Sequence, residues 1–288
     1  MEMVYNNIFL NIIHIIFITV KYIMYLLYIL FISIVIFLLF IIINILLHKP
    51  IHKPTIEKFG NNIVFLNKTE LFNALKHNDD RYYNRFYNND YSARKISNID
   101  EYINIIYKAS TNFNDNEKTK LIICCDKADE FLKGIHYDWF NGIKAVEIEW
   151  RLGCITGKYY ENGLPHTRGN IIVLPNVKIN TYTEERLIKL LIHEKIHLYQ
   201  KFYPTDVEIY ISKKKYKRIK EREESDNIRA NPDLDNWIYS DKDGNINMAT
   251  YNKMPASIED ITYYPVNNQN YEHPYEKMAI EIENMFTQ

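Results

Sequence analysis

Two hydrophobic patterns organise the chain. Near its start, Met24–Leu47 carries only Ser33 and Asn44 as polar residues and no charge. As a helix this run extends about 36 Å, enough to cross a hydrocarbon core of about 30 Å. It is apolar all round, and no small-residue cleavage site follows it. The pattern predicts a transmembrane helix over residues 22–47. Residues 1–21 form a further hydrophobic segment, in which Ile8–Val20 is interrupted by Asn11, His14 and Thr19. The second pattern is a stripe. Leu187, Leu190, Leu191 and Ile196 recur at helical spacing, after two candidate N-caps (Thr181 and Thr183) and an acidic first turn at Glu184-Glu185. Pro204 ends that run.

Between and beyond these runs the pattern is mixed. Residues 48–118 read as a linker and small helical region, broken from the span by Pro50 and Pro54. Helices are expected over Thr69–Lys76 and over Ser97–Lys108 with Ser97 as cap, and a loop over Asp80–Tyr91. From Lys120 the runs turn strand-like: Leu121–Cys125, Ile143–Trp150, Cys154–Tyr160 and Gly169–Pro175. Asp126 is expected to cap a helix through Lys133. Trp237–Ser240 and Asn245–Tyr251 flank Asp241-Lys242-Asp243-Gly244 as a hairpin would. That turn lacks the spacing and terminal Glu of a calcium loop. The expectation is an α+β fold, with a domain over residues 119–288.

Charge changes this picture little. Net charge is −1 and hydrophobic content 47%, which gives no reason to expect nucleic acid as partner. Lys49, Lys53 and Lys58 follow the span while Lys21 precedes it, so the positive-inside rule puts the carboxy-terminal domain in the cytosol. Cys124, Cys125 and Cys154 are odd in number, with two adjacent, and make no disulfide framework. The basic run Lys213–Arg222, diluted by Glu221, Glu223 and Glu224, reads as a solvated helix face. Contact with anionic lipid or nucleic acid is the alternative. Basic and aromatic residues alternate through Arg81–Tyr87, a pattern that can stack on bases but reads here as a packed loop.

The candidate chemistry lies in the second pattern. His193-Glu194-Lys195-Ile196-His197 is an H-E-x-x-H sequence. Positions four apart share a helix face, so both imidazoles can address one metal ion. Glu194 can then stand beside the metal and carry a proton from water to a leaving amine. With 9 His and 21 Glu in 288 residues, about 0.02 chance matches are expected.

The stretch resembles the active-site helix of the zincin metallopeptidases: the motif, the apolar helix around it and a strand-like run upstream all match. The resemblance covers roughly residues 119–288. It implies a zincin-like domain binding Zn2+ and hydrolysing peptide or protein substrates. It also implies that the run beginning Gly169-Asn170-Ile171-Ile172-Val173 is an edge strand that pairs with extended substrate. Gln200 and Tyr203 stand where a metzincin has Gly and His, so the third ligand lies elsewhere. Tyr275-Glu276-Lys277-Met278-Ala279 resembles the E-x-x-A/S element of gluzincins, which makes Glu276 the third ligand. His273, Glu272 and Glu281 are the alternatives. Tyr263, Tyr264, Tyr271, His273 and His166 are candidate oxyanion donors. Arg229-Ala230-Asn231-Pro232-Asp233 is a distinctive polar turn without an assigned role. The expected function is that of a membrane-anchored zinc peptidase. The alternative is a non-catalytic binding module on the same scaffold.

Overall fold

The computed structural model describes Lys21, Met24, Ile32 and residues 58–59, 62–265 and 272–287. Its elements begin with β1 (Lys58–Phe59), β2 (Ile63–Phe65), α1 (Lys68–His77), α2 (Asn88–Arg94), α3 (Ile99–Ala109) and β3 (Ser110–Thr111). Then come α4 (Asp115–Lys133), β4 (His136–Tyr137), β5 (Phe140–Asn141), α5 (Gly142–Glu147), β6 (Trp150–Ile155), β7 (His166–Arg168) and β8 (Ile171–Pro175). They are followed by α6 (Asn176–Thr181), α7 (Glu184–Phe202), α8 (Pro204–Lys213), β9 (Lys217–Glu221), β10 (Trp237–Ser240), β11 (Ile246–Tyr251), β12 (Ile261–Tyr264) and α9 (Pro274–Glu283). The fold is mixed α and β with small sheets. Among the described residues no helix is long and apolar enough to cross a membrane. The expected span over 22–47 and the segment before it lie outside the described residues, apart from Lys21, Met24 and Ile32.

One sheet, ordered β1-β2-β6-β8-β7, divides the core. β2, β6 and β8 run parallel, and β7 lies antiparallel on β8 at the edge. Alternate residues of β8 go to opposite faces, as strand geometry requires. Ile172 and Leu174 join a core with Leu121, Cys125, Leu191, Ile196 and Met278, so α4, α7 and α9 cover that face. Ile171 and Val173 join Leu71, Leu75, Tyr102 and Ile106, so α1 and α3 cover the other. A strand buried on both faces reads as a continuous apolar run, which is why Ile171–Leu174 shows no alternation. Gly153 on β6 lets α1 close in: a Cβ there would stand 2.4 Å from Leu71 Cδ1. The second sheet, β12-β11-β10-β9, is antiparallel, and its β10–β11 hairpin turns at Gly244 with φ +84°.

Several sequence expectations are corrected. Leu121–Cys125 is not a strand but the middle of α4, whose start is fixed by a capping box between Asn114 and Glu117. Ile143–Trp150 is mostly α5, capped by Asn141, and the strand starts only at Trp150. The run expected over Cys154–Tyr160 is strand only to Ile155. Asp80–Tyr91 contains a 3₁₀ turn and the start of α2. Asn98, not Ser97, caps α3. The boundary at 118/119 falls inside α4, and β2, α1 and α3 supply one side of the sheet, so Ile56–Gln288 is one unit. The basic run splits between the end of α8 and β9 rather than forming a helix face. Lys213, Lys214, Arg218 and Lys220 pair with Asp138, Glu281, Glu208 and Asp226.

Candidate metal centre

α7 begins where its sequence provides a cap, Thr183, whose side chain accepts from the Arg186 N–H. Its apolar residues Leu187, Leu191 and Ile196 are fully buried, which fixes the rotation of the helix. That rotation brings His193 and His197 to one face with their Nε2 atoms 3.0 Å apart. α9 lies across it. Pro274 opens α9 and Ala279 is fully buried. Glu276, in the first turn, points its Oε2 to within 3.4 Å of His193 Nε2 and 3.8 Å of His197 Nε2. His193, His197 and Glu276 thus form a group that could hold a metal ion.

The donor set suits zinc. Two imidazole nitrogens and a carboxylate oxygen leave one tetrahedral position open. Ligand atoms at about 2.0–2.1 Å from such an ion lie roughly 3.3 Å apart, and 3.0, 3.4 and 3.8 Å bracket that value. The other ring nitrogens are held from behind. His193 Nδ1 meets Glu283 Oε2 at 3.0 Å and His197 Nδ1 meets Gln200 Oε1 at 2.9 Å. Both partners are acceptors, so each Nδ1 donates its proton and each Nε2 keeps its lone pair for the shared point.

The electrostatics follow from the crowding. Burial opposes charge on His193, but hydrogen bonds to Glu276 and Glu283 outweigh it and hold its pKa well above the usual histidine value. Burial pushes His197 down. Burial also works against ionised Glu276, yet His197 and His193 keep it far below the usual carboxylate range. Burial, then the Asp233 carboxylate, pushes Glu194 well up. Its Oε2 is buried and has no hydrogen-bond partner among the described residues. Glu194 lines a cavity of about 470 Å³ together with His193, Glu276, His166, Asn231, Asp233 and Tyr263.

The alternatives for third ligand are occupied otherwise. Glu272 pairs with Arg229, His273 Nε2 meets Asp235 at 3.0 Å, and Glu281 pairs with Lys214 at 2.8 Å. The five oxyanion candidates narrow as well. Tyr271 lies outside the described residues, His273 caps α9, and Tyr264 does not line the cavity. His166 gives Nδ1 to the Leu164 carbonyl, and its Nε2 faces Tyr160 OH. Tyr263 lines the cavity with its pKa raised, by burial first, against the opposing charge of Arg229.

The expected substrate strand is corrected. Ile171, Ile172 and Val173 lie in β8, between β6 and β7, and are buried at 4%, 0% and 0% exposure. Gly169 and Asn170 form the turn before it and line a different cavity, with Asp80 and Lys201. The edge strand is β7. Its sequence, His166-Thr167-Arg168, is polar, so hydrophobicity did not mark it.

Three supporting residues had no assigned role in the sequence reading. Gln200 is three positions past His197, and Glu283 is seven past Glu276, on the same face of α9. Asn231 Nδ2 stands 2.9 Å from Glu272 Oε1 and 3.3 Å from Glu276 Oε1. It belongs to the polar turn, whose Ala230 is gripped by a buried network. Asp90 accepts from Ala230 N–H at 2.9 Å, and Tyr82 OH and Arg94 Nη2 donate to its carbonyl at 3.2 Å each. Arg94 in turn pairs with Glu161 at 2.8 Å. Comparison with protein-family models, curated proteins and solved structures returns no match.

Proposed function

We propose that this chain is a zincin-like, zinc-dependent peptidase. One observation carries the reading. Three donors converge at one point, and Glu194, whose buried Oε2 has no partner among the described residues, lines the adjoining cavity. His193, His197 and Glu276 would hold the ion. A bound zinc ion supplies a Lewis acid and lowers the pKa of water to about 7.

The chain's own residues account for the rest. Glu194 takes the proton of the attacking water and returns it to the leaving amine, so a C–N bond breaks and water adds across it. Tyr263 donates to the oxygen that gains charge at the tetrahedral carbon. Glu283 and Gln200 keep the two imidazoles in the ligating tautomer.

Metal analysis of the full chain beside His193→Ala, Glu276→Ala and Glu194→Gln tests this. One zinc per chain, lost in the first two variants and kept in the third, with peptide hydrolysis lost in all three, is the expected result. A wild type that takes up no zinc on reconstitution would exclude the reading.

A further inference from the structure

The outer edge of β7 is closed. β7 and β8 pair with His166 opposite Val173, Thr167 opposite Ile172 and Arg168 opposite Ile171. In an antiparallel pair, alternate residues turn their N–H and C=O away from the neighbour. At Thr167 both outward groups are used. Its N–H donates to Asp233 Oδ1 at 2.7 Å, and its carbonyl accepts from Lys201 Nζ at 3.0 Å. The next outward position is Gly169, whose N–H donates to Asp80 Oδ2 at 3.0 Å. Arg168 locks that carboxylate through bonds of 2.6 and 3.0 Å. The preceding position in the same alternation is Pro165, which has no N–H. No N–H along this edge is left for a substrate strand.

The groups that close the edge are built into the fold. Asp233 is 8% exposed and its second bond, from Thr167 Oγ1, measures 2.6 Å. Lys201 also donates to the Pro232 carbonyl at 3.2 Å. The turn carrying Asp233 is anchored at Ala230 by Asp90, Tyr82 and Arg94. Side chains spent on an edge in this way keep a sheet from taking on another strand. What adjoins the edge is the cavity of about 470 Å³ walled by Leu164, Pro165, Ile258, Ile261 and Tyr263. Pockets of that size accommodate a small ligand.

We infer that the site encloses short peptides or the ends of chains, and does not bind the middle of an extended chain by strand addition. Asp233, Lys201 and Asp80 set this limit together, Asp233 and Lys201 at Thr167 and Asp80 at Gly169. The inference rests on the peptidase reading and names the substrate class of that same site.

The test uses the full, zinc-loaded chain with an unfolded protein, and with that protein's digest into short peptides, new ends being mapped by mass spectrometry. Cuts confined to a few residues from a terminus, or consumption of the digest alone, are expected. Which end is trimmed tells whether the amino or the carboxyl terminus is held. Asp233→Ala frees the Thr167 N–H and is expected to add internal cuts. Asp233→Asn keeps the Oδ1 acceptor and the terminal pattern. Lys201→Met, which frees the Thr167 carbonyl, reads the same change should Asp233→Ala fail to fold. Internal cuts throughout the unfolded chain by the wild type would overturn this inference while leaving the peptidase reading intact. No cleavage of either substrate by a chain that holds zinc would remove both.

Discussion

Asn231 reaches the outer oxygen of Glu276 while the inner oxygen faces the two imidazoles: Nδ2 lies 3.3 Å from Oε1, and Oε2 lies 3.4 Å from His193 Nε2. A carboxylate held at one oxygen presents the other in a fixed direction. Asn231→Ala is therefore expected to weaken zinc affinity about 10–100-fold without abolishing binding. Competition against a chromophoric chelator measures this, and unchanged affinity would mean that Asn231 only packs.

Glu194→Gln keeps size and removes the base. Zinc content is expected to stay at the wild-type level while peptide hydrolysis falls by about 10²–10⁴. Loss of zinc together with activity would instead make Glu194 a ligand.

Tyr263→Phe removes one hydroxyl from the cavity. A fall of about 10²–10³ in kcat, with KM and zinc content little changed, is the expected signature of a donor to the transition state. A change confined to KM would reassign Tyr263 to substrate contact.

Glu161 makes the fold sensitive to acid. Burial opposes its charge, but Arg94 and its hydrogen bonds hold the pKa at about 2, below the ordinary value of 4.5. Asp80, likewise buried, is held at about 2 by Arg168. For a carboxylate lowered by folding, stability is fully present above the unfolded pKa and is lost as pH falls through the folded one. Glu161 accounts for roughly 3 kcal/mol of it. Thermal melts should show this loss between about pH 4.5 and pH 2. Arg94→Met, which leaves Glu161 buried without its partner, should destabilise by about 3–5 kcal/mol at pH 7 and less in acid.

Gly153→Ala places a methyl group against a fully buried Leu71. The expected cost is about 1–3 kcal/mol, read as a lowered Tm with zinc affinity retained.

The sequence made the two helices that bring His193, His197 and Glu276 together legible because their signals are local. H-E-x-x-H falls inside one helix with its own cap and stripe, and Glu276 sits in the first turn of another, which a proline opens. The errors arose where local pattern and fold diverge. Leu121–Cys125 is a short apolar run, and such runs fit a strand as well as a buried helix. The capping box at Asn114 and Glu117, a few residues upstream, carried the deciding information. The edge strand escaped notice for a different reason. Thr167 and Arg168 are buried through hydrogen bonds to Asp233, Lys201 and Asp80, partners up to 88 positions away, and no periodicity records such pairings.

Ala230 hangs from Asp90, a residue 140 positions upstream. The stretch that reads as a spacer before the motif-bearing half thus acts as its pier. A chain trimmed to begin at residue 119 keeps His193, Glu194, His197 and Glu276 but forfeits Tyr82, Asp90 and Arg94, and with them the posts beneath Asn231 and Asp233. On the proposed peptidase reading, damage among residues 82–94 would surface at a distance, as a loosened grip on metal and a relaxed choice of substrate, in a protein whose motif remains intact.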